Sequence, residues 1–138
     1  MGLREALGEA LAARTTISAI VGTKIYEGVA PPGTAASYLT YSVLAREAVH
    51  LFSGPDSTSP TGLQIDAWAR DPQARESLAQ AVRDFMGTWR THSDRHGVVV
   101  GPGVFKRMDQ DLVAPSDDGI GLPWFRNVQR WEVWSRRA

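Results

Sequence analysis

The chain has 138 residues, with 15 Lys+Arg balanced by 15 Asp+Glu, no cysteine, 13 glycines and 8 prolines. That length fits one domain, and 43% hydrophobic with 22% charged residues is a globular composition rather than a disordered one. Zero net charge lacks the basic excess of a protein that wraps nucleic acid, and the absence of thiols removes disulfides, cysteine nucleophiles and thiolate metal sites.

All the cations except Lys24 and Lys106 are arginines. Arginine forms planar bidentate pairs and stacks on rings, which suits interfaces, although a GC-rich genome raises Arg as well. Three of the tryptophans, Trp124, Trp131 and Trp134, lie close together. Met1–Glu5 leads into charges rather than an apolar signal segment. Apolar runs such as Val98–Val100 fall far short of the roughly 20 residues of a membrane span. The chain is expected to act in solution or inside a particle.

Leu3, Leu7, Ala10 and Leu11 recur at helical spacing with Arg4, Glu5, Glu9 and Arg14 off that face, which predicts an amphipathic helix over 2–13. Thr15 or Thr16 offers a cap for a second helical piece, Ile17–Val21, closed by Gly22. Lys24–Tyr26 reads as a brief strand, and Gly28–Gly33, with Pro31-Pro32, as loop or extended edge. Tyr38–Ala45 is a strand with Leu39, Tyr41 and Val43 on one face and Tyr38, Thr40, Ser42 and Leu44 on the other. Bulk on both faces predicts cover on both sides. A loop is expected over 47–61, since Ser53–Pro60 is nearly all turn chemistry, with His50-Leu51-Phe52 as its apolar part.

Leu63, Ile65, Ala67 and Ala69 alternate with Gln64, Asp66, Trp68 and Arg70, a second strand. Asp71-Pro72 supplies an N-cap and a first helical residue. The helix is predicted to run to about Arg90 on a stripe of Ala74, Leu78, Ala81, Val82, Phe85 and Trp89, with Glu76 near its start and Arg90 in its last turn. Val98–Val100 forms a third strand. After Gly101-Pro102-Gly103, Val104–Asp111 either returns as a hairpin or continues past a bulge. A second loop is expected over 112–123, including Asp117-Asp118-Gly119. Trp124–Arg136 is the last strand. Phe125, Asn127, Gln129, Trp131, Val133 and Ser135 share one face, opposite Trp124, Arg126, Val128, Arg130, Glu132 and Trp134. The order predicts a single α+β domain over 1–138, with a mainly antiparallel sheet of about four to five strands, one long helix across it and an N-terminal helix.

Candidate chemistry is sparse. His92, Asp94 and His96 form a local polar cluster, and His50 stands apart, but no metal-binding spacing joins them. Asp109, Asp111, Asp117 and Asp118 are hard-cation donors without the ligand order of a calcium loop. Gly101-Pro102-Gly103 is neither a phosphate loop nor a dinucleotide fingerprint, and Ser53 and Ser57 lack the elbow of a hydrolase nucleophile. No enzyme, cofactor or metal site is expected. Arg126, Arg130, Arg136 and Arg137 with Trp124, Trp131 and Trp134 suit a phosphate-binding surface, a Trp-anchored sheet face or a subunit interface. Neutral charge favours the interface over nucleic acid.

The order of these pieces resembles the tail-completion family of long-tailed bacteriophages, whose members are also described as head–tail joining or tail-terminator proteins. The resemblance lies in the N-terminal helix, Ile20–Tyr26, Gly28-Val29-Ala30-Pro31 and Ser37–Tyr41. It continues through Ser53-Gly54-Pro55, Leu63–Ala69, Ala74, Asp109–Leu112, Gly121-Leu122 and the strand Phe125–Trp134. Ser37 replaces an expected proline, and Asp56–Pro60 is richer in Ser and Pro than the family pattern. The resemblance implies a non-enzymatic homo-oligomeric ring, commonly hexameric, at the head–tail interface of a virion assembled in the host cytoplasm. Its partners would be the tail tube protein and the head-completion (stopper) protein, with DNA only in transit through the lumen and no membrane. His50, Leu51, Phe52, Trp124, Arg126, Arg130, Trp131 and Trp134 are the expected interface residues. A neighbouring connector component, either stopper or minor tail protein, is the closest alternative, and a small nucleic-acid-binding α+β domain a more distant one.

Overall fold

Apolar spacing and local capping set the helices. A computed structural model of the chain describes residues 2–31, 34, 36–46, 59–93, 98–114 and 123–137. Helix α1 spans Leu3–Ala13 and buries Ala6, Leu7 and Leu11. Helix α2 spans Thr15–Val21 and starts from the extended backbone of Arg14, so neither Thr15 nor Thr16 is its N-cap. Gly22 closes it at φ 62°, where a residue with a Cβ is strained, and its N–H donates to the Ser18 carbonyl at 2.7 Å.

Helix α3 spans Pro72–Thr88, and the Asp71 carboxylate accepts from the Ala74 N–H at 2.7 Å. It ends earlier than predicted. Trp89 turns extended and stacks on Phe85 at 5.8 Å, which leaves Arg90 outside the helix with Nη1 donating to the Trp89 carbonyl.

The strands are β1 Ile25–Glu27, β2 Tyr38–Arg46, β3 Ser59–Ala69, β4 Thr91–Ser93, β5 Val98–Ala114 and β6 Trp124–Arg137. They form one sheet in the order β1-β2-β3-β6-β5-β4. The β1–β2 pair is parallel and the other four pairs are antiparallel, which makes a mixed sheet. The fold is α+β, with six described strands and three described helices rather than four to five strands and a single long helix beside the N-terminal one. Of the two three-residue edge pieces, β1 coincides within one residue with the brief strand expected at Lys24–Tyr26, and β4 is too short to leave an alternation signal. Strand β5 passes through Gly101-Pro102-Gly103 with a register slip between Val100 and Val104, the bulge of the two predicted options. Strand β3 begins at Ser59 and β5 reaches Ala114, inside the ranges read as loops. Residues 47–58 and 115–122 lie outside the described residues.

Alternation decides which face of the sheet meets the helices. Leu39, Leu63, Ile65, Ala67, Trp131 and Val133 join Leu7, Leu11, Ile17, Val21, Leu78, Val82, Phe85 and Met86 in one core cluster. Burying side chains of this size stabilises the fold by about 1.5–3 kcal/mol each before chain entropy is counted. No described helix contributes to the other face. There Tyr38 and Thr40 are buried by neighbouring strands' side chains instead of by a second layer, so the cover expected on both sides of β2 has two different origins.

A polar seam runs between α3 and the sheet. The Trp131 indole N–H donates to Gln129 Oε1 at 3.1 Å. Gln129 Nε2 donates to Asn127 Oδ1 at 2.9 Å and to the Ala79 carbonyl at 3.0 Å. Asn127 Nδ2 donates to Asp109 Oδ1 and Asp111 Oδ1, both at 2.8 Å. Arg83 reaches down from α3 to close the chain, with Nε on Asp109 Oδ2 at 2.6 Å. Each buried amide thereby has partners for its donors and acceptor, the condition under which polar groups in a core add specificity instead of cost.

Candidate functional site

The face of the sheet away from the helices carries a cluster of aromatic and arginine residues. Cross-strand register explains why. Tyr38 on β2, Trp68 on β3 and Arg126 on β6 lie side by side, followed by Thr40, Asp66 and Val128. Residues opposite one another in a sheet share a face, so an alternating polar and aromatic pattern on three neighbouring strands merges into one surface.

Tyr38 stacks on Trp68 with ring centroids 5.6 Å apart and meets the edge of Trp124 at 5.2 Å. The Trp68 indole N–H donates to Thr40 Oγ1 at 3.2 Å. Two guanidiniums cap the rings: Arg70 lies 3.6 Å from the Trp124 centroid and Arg126 4.8 Å from that of Trp68.

Arg126 is also tied to Asp66, through Nε at 3.1 Å and Nη2 at 2.6 Å to the same carboxylate oxygen. The Asp66 side chain is only 8% exposed, so this pair is largely desolvated. Gln64 extends the row by donating from Nε2 to Asp66 Oδ1 at 3.0 Å and accepting from Arg130 Nε at 3.0 Å. Further along β6, Glu132 accepts from Arg107 at 2.9 Å and from the Trp134 indole at 3.0 Å. The Arg107 hydrogen bond first, and the Trp134 one second, hold the Glu132 carboxyl below its ordinary range. A shallow cavity of about 310 Å³ lies beside Tyr38, Asp66, Trp68 and Arg126, bordered by Gly28 and Val29.

This arrangement holds shape. Arg126 is paired with Asp66 and Arg107 with Glu132, and nothing in it joins a nucleophile to a base. Trp124, Arg126, Arg130 and Trp134 all lie on this face, as the alternation predicts. Trp131 does not: it is 6% exposed, faces α3 and is a core residue of this chain rather than a surface one. A tryptophan suits a core and an interface equally, and only the position of the helices tells them apart. His50, Leu51 and Phe52 lie outside the described residues.

The remaining candidates are also placed. His92 lies on β4, its backbone paired with Val99, while Asp94, His96, Asp117 and Asp118 lie outside the described residues. Asp109 and Asp111 face the helix layer and are held by Arg83, Arg75 and Asn127 instead of pointing to a shared cation position. The Arg83 hydrogen bond, joined by those from Asn127 and Lys106 and opposed by burial, depresses the Asp109 carboxyl well below the carboxylate range. Among the described residues no cluster of three or more His, Asp or Glu could hold a metal ion, and no helix is long and apolar enough to cross a membrane. Sequence reasoning missed Tyr38, Asp66, Trp68 and Arg70 as members of this surface. Their signal was the polar half of each alternation, but joining them requires the strand order.

Comparison with known proteins gives this geometry a context. No curated protein matches the chain in sequence. Among solved structures, a chain of "Virion of native gene transfer agent (GTA) particle" is similar in fold, with a TM-score of 0.62 and 18% identity over 96% of this chain and 94% of that one. The family described as "Tail completion protein gp17" matches residues 5–108. That span includes all but the first two residues of α1, helices α2 and α3, strands β1 to β4 and most of the resemblance motifs. The chain belongs to this tail-completion family of phage proteins and is a phage tail structural protein.

Proposed function

We propose that the chain is a tail terminator, a homo-oligomeric ring, commonly hexameric in such proteins, that caps the tail tube and joins it to the stopper ring of the head. The family match over residues 5–108 carries this reading. The similarity in fold to a gene transfer agent virion chain supports a place in a particle. The outward face fits the role physically. On it the Arg126 charge is met by Asp66 and the Arg107 charge by Glu132, which lowers the positive charge available to grip DNA moving through a lumen. Neutral total charge permits copies to pack together.

A ring closes through heterologous contacts, in which one patch meets a different patch on the next copy. Leu44, Phe105, Leu112 and Val113, all on strands, are among the exposed apolar side chains available for such contacts. Light scattering of the purified chain, alone and with tail tubes, tests the proposal. A closed oligomer that seats on one tube end is expected. A chain that stays monomeric and leaves tube ends bare contradicts it. The neighbouring reading, a stopper, would seat on the head side of that ring without touching the tube.

A further inference from the structure

The sheet has two edges, and each is only partly covered. On one side β1 pairs with Leu39, Thr40 and Tyr41 of β2, leaving Ser42–Arg46 with no outer strand partner among the described residues. On the other side β4 pairs with Val98, Val99 and Val100 of β5, leaving Val104–Ala114 likewise open. An open edge presents a row of backbone donors and acceptors to any strand of matching direction.

The part of the β5 stretch next to the bulge, Val104–Met108, matches Ser42–Arg46 in height, while Asp109–Asp111 is level with the Leu39–Tyr41 stretch that β1 covers. Following the register across the sheet, Ser42 is level with Gln64, Arg130 and Met108, and Val43 with Leu63, Trp131 and Lys106. Arg46 is level with Thr61, Val133 and Val104. They match in direction as well. Strand β2 runs opposite to β3, β3 opposite to β6 and β6 opposite to β5, so β5 is antiparallel to β2.

A rotation axis lying along the strands carries one copy onto the next without reversing them. The β5 edge of one copy therefore meets the β2 edge of its neighbour as an antiparallel pair, the slightly more stable arrangement per residue. The exposed apolar side chains fall at the same level too. Phe105, 48% exposed, is level with Ala45, the residue after the bulged Leu44, which is 47% exposed. Joining the edges brings these two side chains together and removes both from water.

We infer that the ring closes by β-augmentation, with the Val104–Met108 edge of β5 in one copy pairing antiparallel with the Ser42–Arg46 edge of β2 in the next. This rests on the ring proposed above and specifies its subunit contact. The joined sheet keeps the helices of every copy on one side and the Tyr38–Trp68–Trp124 face on the other.

The chain has no cysteine, so introduced thiols report cleanly. Leu44→Cys is combined in turn with Phe105→Cys, Met108→Cys and Gln110→Cys, which samples register along β5, and each protein is oxidised alone and on tail tubes. At least one pair is expected to convert the monomer band on a non-reducing gel into a covalent series ending at the ring's copy number, while each single variant stays uncrosslinked. An oligomer by light scattering in which no pair crosslinks overturns the edge pairing and leaves the ring intact. Crosslinking by Phe105→Cys alone overturns it in favour of a β5–β5 contact. A chain that is monomeric both alone and with tubes overturns the ring itself.

Discussion

Arg126 and Asp66 show how a surface arginine becomes a structural one. The carboxylate is nearly buried, and its charge is matched by a guanidinium that also lies over Trp68. Removing the cation strands a desolvated charge. Arg126→Ala is therefore expected to lower unfolding free energy by about 3 kcal/mol in urea titrations. A change within a few tenths of a kcal/mol would mean the pair is solvated and the arginine free for other partners.

Trp131 poses the opposite case, an anchor that faces inward. Trp131→Phe removes the indole donor, leaves Gln129 Oε1 without it and opens space under α3, at a cost of about 2–3 kcal/mol. The folded fraction of that variant is expected to assemble as the parent does. Normal stability with lost assembly would place Trp131 at a subunit contact after all. Asp109 adds a pH signature. Its folded pKa lies below the ordinary value near 3.9, so its contribution is complete above about pH 5 and is lost as pH falls through the folded value. Asp109→Asn is expected to cost about 2 kcal/mol at pH 7, with the gap to the parent narrowing steadily below about pH 4.

At the scale of elements, the secure readings were those with two independent signals. Helix α3 has an apolar stripe and the Asp71-Pro72 start, and Asp71→Ala is expected to cost about 1 kcal/mol in thermal or urea unfolding. Strands β3 and β6 showed clean alternation, and both of their faces were assigned as they occur. Strand β1 matches the brief strand expected at Lys24–Tyr26, one residue out of step, but its parallel pairing, which makes the sheet mixed, has no sequence signal. Strand β4, at three residues, left nothing to read. The composite outward surface was illegible for a different reason: alternation reveals two faces per strand, but which faces adjoin depends on the order β2-β3-β6.

Gly8 gives a test of how α1 is seated. A Cβ there would run into the Tyr41 hydroxyl and ring. Gly8→Ala gains about 1 kcal/mol of helix propensity in open surroundings. That gain is expected to vanish in the parent and to return in part with Tyr41→Phe, as a double-mutant cycle would record.

For the whole molecule, equal numbers of acids and bases, an outward arginine paired with Asp66 and two open edges fit the proposal of a part that packs against copies of itself. Family membership makes that part a phage tail protein, and the terminator role is the proposal that unites the two. Electron cryomicroscopy of the assembled particle tests this most directly. The account predicts a single ring of this chain between the last tube ring and the stopper, in contact with both. Density for the chain on the capsid side of the stopper, along the tube, or nowhere in the mature particle would contradict it.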